Sequence, residues 1–170
     1  MALTTKISLT IQANYTSALD LVTAQANMLK TYEVVLQTGV GAGQSDKIFS
    51  DTRTLSGSAS EDLDLIGTAL TDAFGAVVTF TKIKALIVAA AAANTGNILV
   101  GGVAAGLSTI LTPAATGIST IRPGAFNAWV AGQADATGYG VTATTADLLH
   151  IANSAAGNAS YDVIIVGTSS

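Results

Sequence analysis

Short runs of β-forming residues, separated by turns rich in glycine or asparagine, recur along the 170 residues of this chain. No long segment repeats apolar residues at helical spacing, and helices do not alternate with strands, so a parallel βαβ fold is disfavoured. The pattern predicts an all-β antiparallel sandwich of about eight to ten strands, and the jelly roll is the commonest eight-stranded form of that architecture. The predicted strands cover residues 6–11, 31–37, 47–55, 61–66, 77–88, 98–103, 118–130 with a break at a turn, 147–152 and 161–166.

Two turn motifs, and the alternation of lysine with apolar residues in one strand, predict local structure. Asn94–Asn97 lies between two apolar runs, and its sequence Asn-Thr-Gly-Asn predicts a hairpin between them. Arg122–Gly124 predicts a type II turn, because proline presets the backbone at the second position and glycine accepts a positive φ at the third. In the run 77–88, predicted as the longest strand, alternation places Lys82 and Lys84 on one face and apolar residues on the other.

The first thirty residues differ from the rest of the chain. Residues 13–30 contain no turn punctuation and no clean strand or helix period, and 17–29 are compatible with a short helix or an irregular arm. We therefore predict an N-terminal arm of residues 1–30 and a sandwich body of residues 31–170. The apolar side chains of the arm need a surface to lie on, either the body of their own subunit or a partner. These side chains are Leu19, Leu21, Val22, Met28 and Leu29.

The composition excludes several classes of function. No cysteine is present, which excludes disulfides, thiolate zinc sites, iron–sulfur clusters and cysteine nucleophiles. A single histidine excludes sites built from several histidines, such as the metal centre of cupin-type jelly rolls. The net charge of −4, with scattered lysine and arginine, argues against nucleic acid as a partner. We expect neither a metal nor another cofactor.

Charge is scarce, and one long stretch has none. Only 11% of the residues are charged, and Ala85–Ile121 contains no charged residue over 37 positions. A membrane span is disfavoured there, because Asn94 and Asn97 would lie near mid-bilayer and because alanine and glycine gain little from lipid. Solubility normally comes from a charged surface, so we expect copies of the chain or another protein to cover part of this surface. We predict a symmetric homo-oligomer in which residues 85–121 contribute to the buried surface.

The search for chemistry assigns no catalytic, cofactor-binding or metal-binding residue, so we expect a protein that is not an enzyme. The glycines at 39–43 lack the spacing of a phosphate-binding loop, and a mobile loop or a tight turn is the preferred interpretation. His150 lies between apolar neighbours and is interpreted as structural. Asp62 and Asp64 share one strand face, where paired carboxylates could bind a cation or act as acid and base. A solvated face or a salt bridge is the favoured interpretation of that pair.

Several segments carry a family resemblance, which covers about residues 31–170 and is less clear over the first thirty residues. They are Gly43–Leu55 with Glu61–Leu65, Ala93–Gly102, Arg122–Phe126, Ala134–Tyr139 and Tyr161–Gly167. Taken in order, these segments resemble a group of small structural proteins of tailed bacteriophages. The resemblance implies a virion component assembled in the host cytoplasm, with a jelly-roll-like body similar to capsid cement (decoration) proteins, which are usually trimeric. It implies no catalytic residue.

Three classes of function follow from these observations. The leading hypothesis is a non-enzymatic cement protein that binds the major capsid protein on the outer shell and bridges capsomers through many weak contacts. A head fibre or a tail component is the alternative within the structural class. A glycan-binding jelly-roll module is the second class, although Trp129 lies in an apolar run and is interpreted as a core or interface residue. A hydrolase that uses Asp62 and Asp64 is the third and weakest class.

Overall fold

The computed structural model describes residues 2–170, and within that range it contains β-strands and no helix. All pairings between the strands are antiparallel except a short contact between β2 and β3. The prediction of an all-β antiparallel sandwich is confirmed, and the jelly-roll topology stays a prediction. The strands are β1 (Thr5–Ala18), β2 (Thr23–Thr38), β3 (Gln44–Ser45), β4 (Lys47–Leu55), β5 (Ser60–Asp64), β6 (Lys82–Ala90), β7 (Ile98–Gly101), β8 (Ile118–Ile121), β9 (Phe126–Val130), β10 (Tyr139–Gly140), β11 (Leu148–Asn153) and β12 (Ala159–Thr168).

Two sheets form the body. The first sheet has the order β10-β6-β12-β4, with β9 also paired to β6, and the second sheet has the order β5-β11-β7-β8. Alternation along each strand sends every second side chain into the space between the sheets. These side chains make one continuous buried cluster, to which the first sheet contributes Leu86, Val88 and Val163 and the second contributes Val100 and Ile151.

Burial inside this chain explains part of the uncharged stretch 85–121. Most of β6 and all of β7 fall within it, and both are interior strands, one in each sheet. A charge on their core-facing positions would be buried without a partner, at a cost on the order of several kcal/mol. The expectation that this stretch contributes to a subunit interface stays a prediction.

The hairpin predicted at Asn94–Asn97 is wrong. The strands on either side of it, β6 and β7, belong to different sheets, so the segment crosses the sandwich. The side chain of Asn94 accounts for the difference, because it bonds to the backbone of Ser160 in β12. Its amide donates to the Ser160 carbonyl oxygen (2.8 Å), and its oxygen accepts from the Ser160 N–H (2.8 Å).

The turn predicted at Arg122–Gly124 is present. The N–H of Ala125 donates to the carbonyl oxygen of Arg122 (2.9 Å), and Gly124 has a φ of +75°, a value that favours glycine. This turn carries the chain from β8 in the second sheet to β9 in the first.

Two expectations for the strand after residue 77 are wrong. This strand is β6, with 9 residues, whereas β1 and β2 are the longest strands, with 14 and 16. Lys84 does not share an exposed face with Lys82, because the register with β12 shifts and leaves Lys84 as the buried extra residue of a β-bulge. Its Nζ donates to the carbonyl oxygen of Asp135 (2.7 Å), and burial lowers the pKa of Lys84.

β1 and β2 form a long hairpin that begins close to the N-terminus. Fourteen residue pairs connect the two strands, and Leu19–Val22 closes the tip. The expectation of a short helix or an irregular arm over 17–29 is therefore wrong, since these residues are the distal part of the hairpin. Small residues such as Ala24 and Ala26 weaken the alternation there. The boundary predicted at residue 30 falls inside β2, and the division into arm and body stays a prediction.

Candidate interaction surface

The hairpin of β1 and β2 is amphipathic. Residues directly opposite each other on antiparallel strands lie on the same face, so the register assigns every side chain to a face. The apolar face carries Ile7, Leu9, Ile11, Ala13, Tyr15, Ala24, Ala26, Met28, Tyr32, Val34 and Leu36, with Thr5, Ser17 and Lys30 as polar members. The polar face carries Lys6, Ser8, Thr10, Gln12, Asn14, Thr16, Thr23, Gln25, Asn27, Thr31 and Glu33, with Ala18, Leu29 and Val35 as apolar members.

The apolar face packs on the body only at the base of the hairpin. At the base, three side chains pack against Ala85 and Val166 on the outer face of the first sheet, namely Ile7, Val34 and Leu36. These residues form a small cluster separate from the main core. Because Leu36 is fully buried, this contact fixes the base of the hairpin against the body.

The distal hairpin, residues 8–33, projects beyond this contact with its apolar face uncovered. Leu9 is 48% exposed, Tyr32 58% and Tyr15 75%, and Leu21 at the tip is 93% exposed. A two-stranded hairpin alone is at best marginally stable in water, and contiguous exposed apolar patches on soluble proteins mark interaction sites. The distal hairpin is therefore the candidate interaction surface.

The hairpin carries a single charged residue over positions 7–29. Between Lys6 and Lys30 the only charged residue is Asp20, at the tip. Lys30 lies over the ring of Tyr32, with its Nζ 5.6 Å from the ring centroid. At the base, Lys6 forms an ion pair with Glu33 (2.7 Å). A partner would therefore recognise this surface through apolar contact and shape, with little contribution from opposite charge.

The two carboxylates predicted to share a strand face are used separately. Asp62 and Asp64 do lie on the same face of β5. Oδ1 of Asp62 lies 2.6 Å from Nδ1 of His150, whereas Oδ1 of Asp64 accepts the backbone N–H groups of Ile66 (3.0 Å) and Gly67 (2.8 Å). The arrangement fits the salt-bridge interpretation of Asp62 and the structural interpretation of His150.

A polar cluster that the sequence pattern does not reveal connects the two sheets. Arg53 on β4 donates to Glu61 on β5 through Nε (2.8 Å) and Nη2 (2.6 Å), and to Asp51 through Nη1 (2.8 Å). The hydroxyl of the buried Tyr161 donates to the other oxygen of Glu61 (2.8 Å). The bonds to Glu61 raise the pKa of Arg53, and burial raises the pKa of Tyr161. Each of these side chains is engaged by another, which suits a structural role.

The glycine-rich loop at 39–43 is a closed turn. Oε1 of Gln44 accepts the N–H of Gly41 (2.9 Å), and the N–H of Gln37 donates to the carbonyl oxygen of Gly43 (2.8 Å). A phosphate-binding loop needs free backbone N–H groups, and that of Gly41 is already used inside the turn. The loop therefore fits the tight-turn interpretation.

An apolar groove of about 420 Å³ lies beside the base of the hairpin. Leu3, Ile48 and Val77 line it, and Phe74 stands at its edge on a short loop. Asp72 closes that loop, because its Oδ1 accepts two backbone N–H groups, each at 2.9 Å. The groove offers apolar contact area, and its Asp72 carboxylate is engaged in holding the loop.

Within residues 2–170, no group of three or more histidine, aspartate and glutamate side chains is placed to hold a metal ion. No helix in the described range is long and apolar enough to cross a membrane. Comparisons of the chain with protein-family models, with curated proteins and with solved structures find no match.

Proposed function

We propose that this protein is a non-enzymatic structural protein of a tailed-bacteriophage virion, a cement (decoration) protein that binds the major capsid protein on the outer shell and bridges capsomers. The observation that carries the proposal is the distal hairpin, an amphipathic arm whose apolar face and tip are exposed. The proposal includes a jelly-roll-like body, a homotrimer and assembly in the host cytoplasm, as the resemblance of residues 31–170 implies.

The length of the hairpin suits it to bridging two capsomers. The eleven residue pairs beyond Ile7 extend about 37 Å, at about 3.4 Å per residue. A body that rests on one capsomer can therefore place the tip of its hairpin on a neighbour. Two weak contacts joined through a fixed base act together, so the pair holds more tightly than either contact alone.

The tip is the part that we assign to the capsid. Leu19, Leu21 and Val22 are all exposed, and they surround a turn in which the N–H of Leu19 donates to the carbonyl oxygen of Val22 (2.9 Å). Three apolar side chains at the end of an arm form a compact anchor. Burial of each in a pocket of the capsid protein contributes about 1.5–3 kcal/mol.

The other classes of function have less support. A glycan-binding module needs exposed aromatic platforms, and Trp129 does not supply one, because it is partly buried against the main core. The exposed Tyr15 and Tyr32 lie among aliphatic side chains on the apolar face of the hairpin. A hydrolase that uses Asp62 and Asp64 as its acid and base needs them to act together, and the two carboxylates have separate partners. A head fibre or a tail component shares the features of a cement protein, and its location on the virion distinguishes it.

Binding to capsids that lack the protein tests the assignment of the tip. Leu21→Asp places a charge on the anchor, and Ile118→Asp places the same charge on an apolar residue of the body that is 54% exposed. We expect Leu21→Asp to bind at least about tenfold more weakly in co-sedimentation, a loss of about 1.4 kcal/mol. The Ile118→Asp control is expected to bind like the wild type.

Electron microscopy of virions that carry the labelled protein tests the location. Label distributed over the outer shell supports the cement function, in particular when Leu21→Asp removes it. Label confined to the tail or to head fibres, or absent from virions, overturns the proposal.

A further inference from the structure

We propose that the apolar face of the distal hairpin packs against the same face of a second copy of this chain. The hairpins, and not the uncharged stretch 85–121, then hold the homo-oligomer together. This inference concerns the free protein in solution and does not rest on the virion role.

The base of the hairpin shows what kind of surface covers this face. Ile7 and Val34 pack on aliphatic side chains of a β-sheet, among them Ala85 and Val166. The same face continues outward from Leu9 without a break. Its distal part therefore needs more surface of the same kind, which is an apolar and uncharged face of paired strands.

On the outer face of the first sheet, the body supplies such a surface only next to the base. Farther along the outer face of the first sheet, β12 and β4 present paired polar residues. The hydroxyl of Thr52 donates to Asp162 (2.6 Å), and the hydroxyls of Thr54 and Ser160 lie 2.8 Å apart. The surface that matches the distal hairpin in length and in apolar character is the hairpin of another copy. Identical apolar faces that meet around a symmetry axis close a symmetric oligomer, and this holds for a homotrimer as for a dimer.

The charges of the hairpin are compatible with this contact. Asp20 lies at the tip, outside the face that is covered. Lys30 is the one charged residue of the apolar face, and its ammonium lies over the ring of Tyr32. A lysine side chain is long enough to keep its ammonium in water at the rim of a contact, so no pair of like charges is buried.

The open edge of β1 also favours a second copy of the chain as the partner. β1 pairs with β2 along its whole length and, among the described strands, with no other, so its outer edge is open over 14 residues. Proteins protect such edges with lysine, proline or a bulge. Within β1 the only lysine is Lys6, at the base, and no proline is present. A second copy is available from synthesis onward, before any other partner is met.

Light scattering of the purified full-length protein tests the proposal. The expected mass is a multiple of 16.9 kDa. Leu9→Glu with Met28→Glu places two charges on the apolar face, and Gln12→Glu with Gln25→Glu places two charges on the polar face. We expect the first pair to lower the mass to 16.9 kDa and the control pair to leave it unchanged. Fluorescence of Trp129, in the body, reports whether the body stays folded.

Cross-linking gives an independent readout, because the chain has no cysteine. Ala13→Cys lies on the apolar face and Asn14→Cys, its neighbour, lies on the polar face. A short bis-maleimide is expected to join chains that carry Ala13→Cys and to leave chains with Asn14→Cys single. A monomeric wild type at micromolar concentration, equal effects of the two double variants, or equal cross-linking at both cysteines overturns the proposal.

Discussion

The hydroxyl of Tyr161 donates a hydrogen bond to Oε1 of Glu61 between the two sheets of the sandwich (2.8 Å). The other oxygen of the same carboxylate accepts from Arg53. Tyr161 is fully buried in the first sheet, and Glu61 lies on β5 at the edge of the second. One carboxylate therefore provides the acceptor for a buried phenol and for a half-buried guanidinium, neither of which can be left without a partner at low cost.

Removal of this shared acceptor is expected to cost more than removal of the phenol hydroxyl. Glu61→Ala leaves Tyr161 without its acceptor and leaves Arg53 with Asp51 alone, and we expect it to lower the free energy of unfolding by about 2–3 kcal/mol. Tyr161→Phe keeps the ion pair and is expected to cost about 1 kcal/mol. Urea unfolding followed by Trp129 fluorescence measures both variants. Equal losses would contradict the shared role of Glu61.

Tyr161 also makes stability depend on alkaline pH. Burial raises its pKa above the ordinary value of 10.0, so above that pH the unfolded chain releases a proton that the folded chain keeps. The stabilising contribution is complete below about pH 10 and is lost as the pH rises through the folded-state pKa. We expect the free energy of unfolding to fall between about pH 9 and pH 11, and to fall less in Tyr161→Phe.

Urea titrations at several pH values measure this difference. Burial lowers the pKa of Lys84, so below about pH 10.5 this residue makes the free energy of unfolding rise with pH. The contribution of Lys84 is the same in the wild type and in Tyr161→Phe. The comparison of wild type with Tyr161→Phe therefore isolates the phenol. Identical slopes in the two proteins would show that Tyr161 does not control the alkaline transition.

At the point where the chain crosses between the sheets, the side chain of Asn94 bonds to the backbone of β12 as a neighbouring strand would. Asn94→Ala leaves the N–H and the carbonyl of Ser160 without these partners, and we expect a loss of about 2 kcal/mol. Asn97→Ala in the same segment is the matched control, because Asn97 bonds to Ser154 through its backbone. The control is expected to stay within about 0.5 kcal/mol of the wild type in thermal unfolding. A control that loses as much as Asn94→Ala would assign the effect to the turn itself.

The hairpin can be shortened without loss of its base. Replacing residues 11–30 by Asn-Gly keeps Ile7 and Val34 in place and keeps Leu36 covered. We expect this protein to retain the strand signal of the body in circular dichroism, to be monomeric and to bind capsids more weakly. Deletion of residues 1–30 instead removes β1 and uncovers Leu36, so we expect a lower melting temperature for the deletion than for the shortened hairpin. Equal melting temperatures would contradict the role given to the base.

Alternation predicts strands well where one face of the strand is buried in the core. β4 has the predicted bounds, Lys47–Leu55, and its inward residues Phe49 and Leu55 are buried. The distal hairpin is different, because both of its faces are exposed in one chain and small residues blur its pattern. Its strands are defined by their pairing with each other, and the sequence of one strand alone does not reveal this pairing.

The side-chain contacts and the buried lysine that the sequence pattern missed depend on distant partners. Tyr161 and Glu61 lie 100 residues apart, and Asn94 and Ser160 lie 66 residues apart. The burial of Lys84 follows from a register shift against β12, which has no signal in the local sequence. Such contacts arise only when the strand order brings the two segments together.

The scarcity of charge on the distal hairpin sets its response to ionic strength and to temperature. Salt weakens contacts between exposed charges by screening them, but from Ser8 to Leu29 the hairpin presents one charge, Asp20, among hydroxyls, amides and hydrocarbon. Contacts built on hydrocarbon weaken on cooling, because the hydration of apolar surface becomes less unfavourable. Assemblies held by this hairpin therefore resist concentrated salt and loosen in the cold.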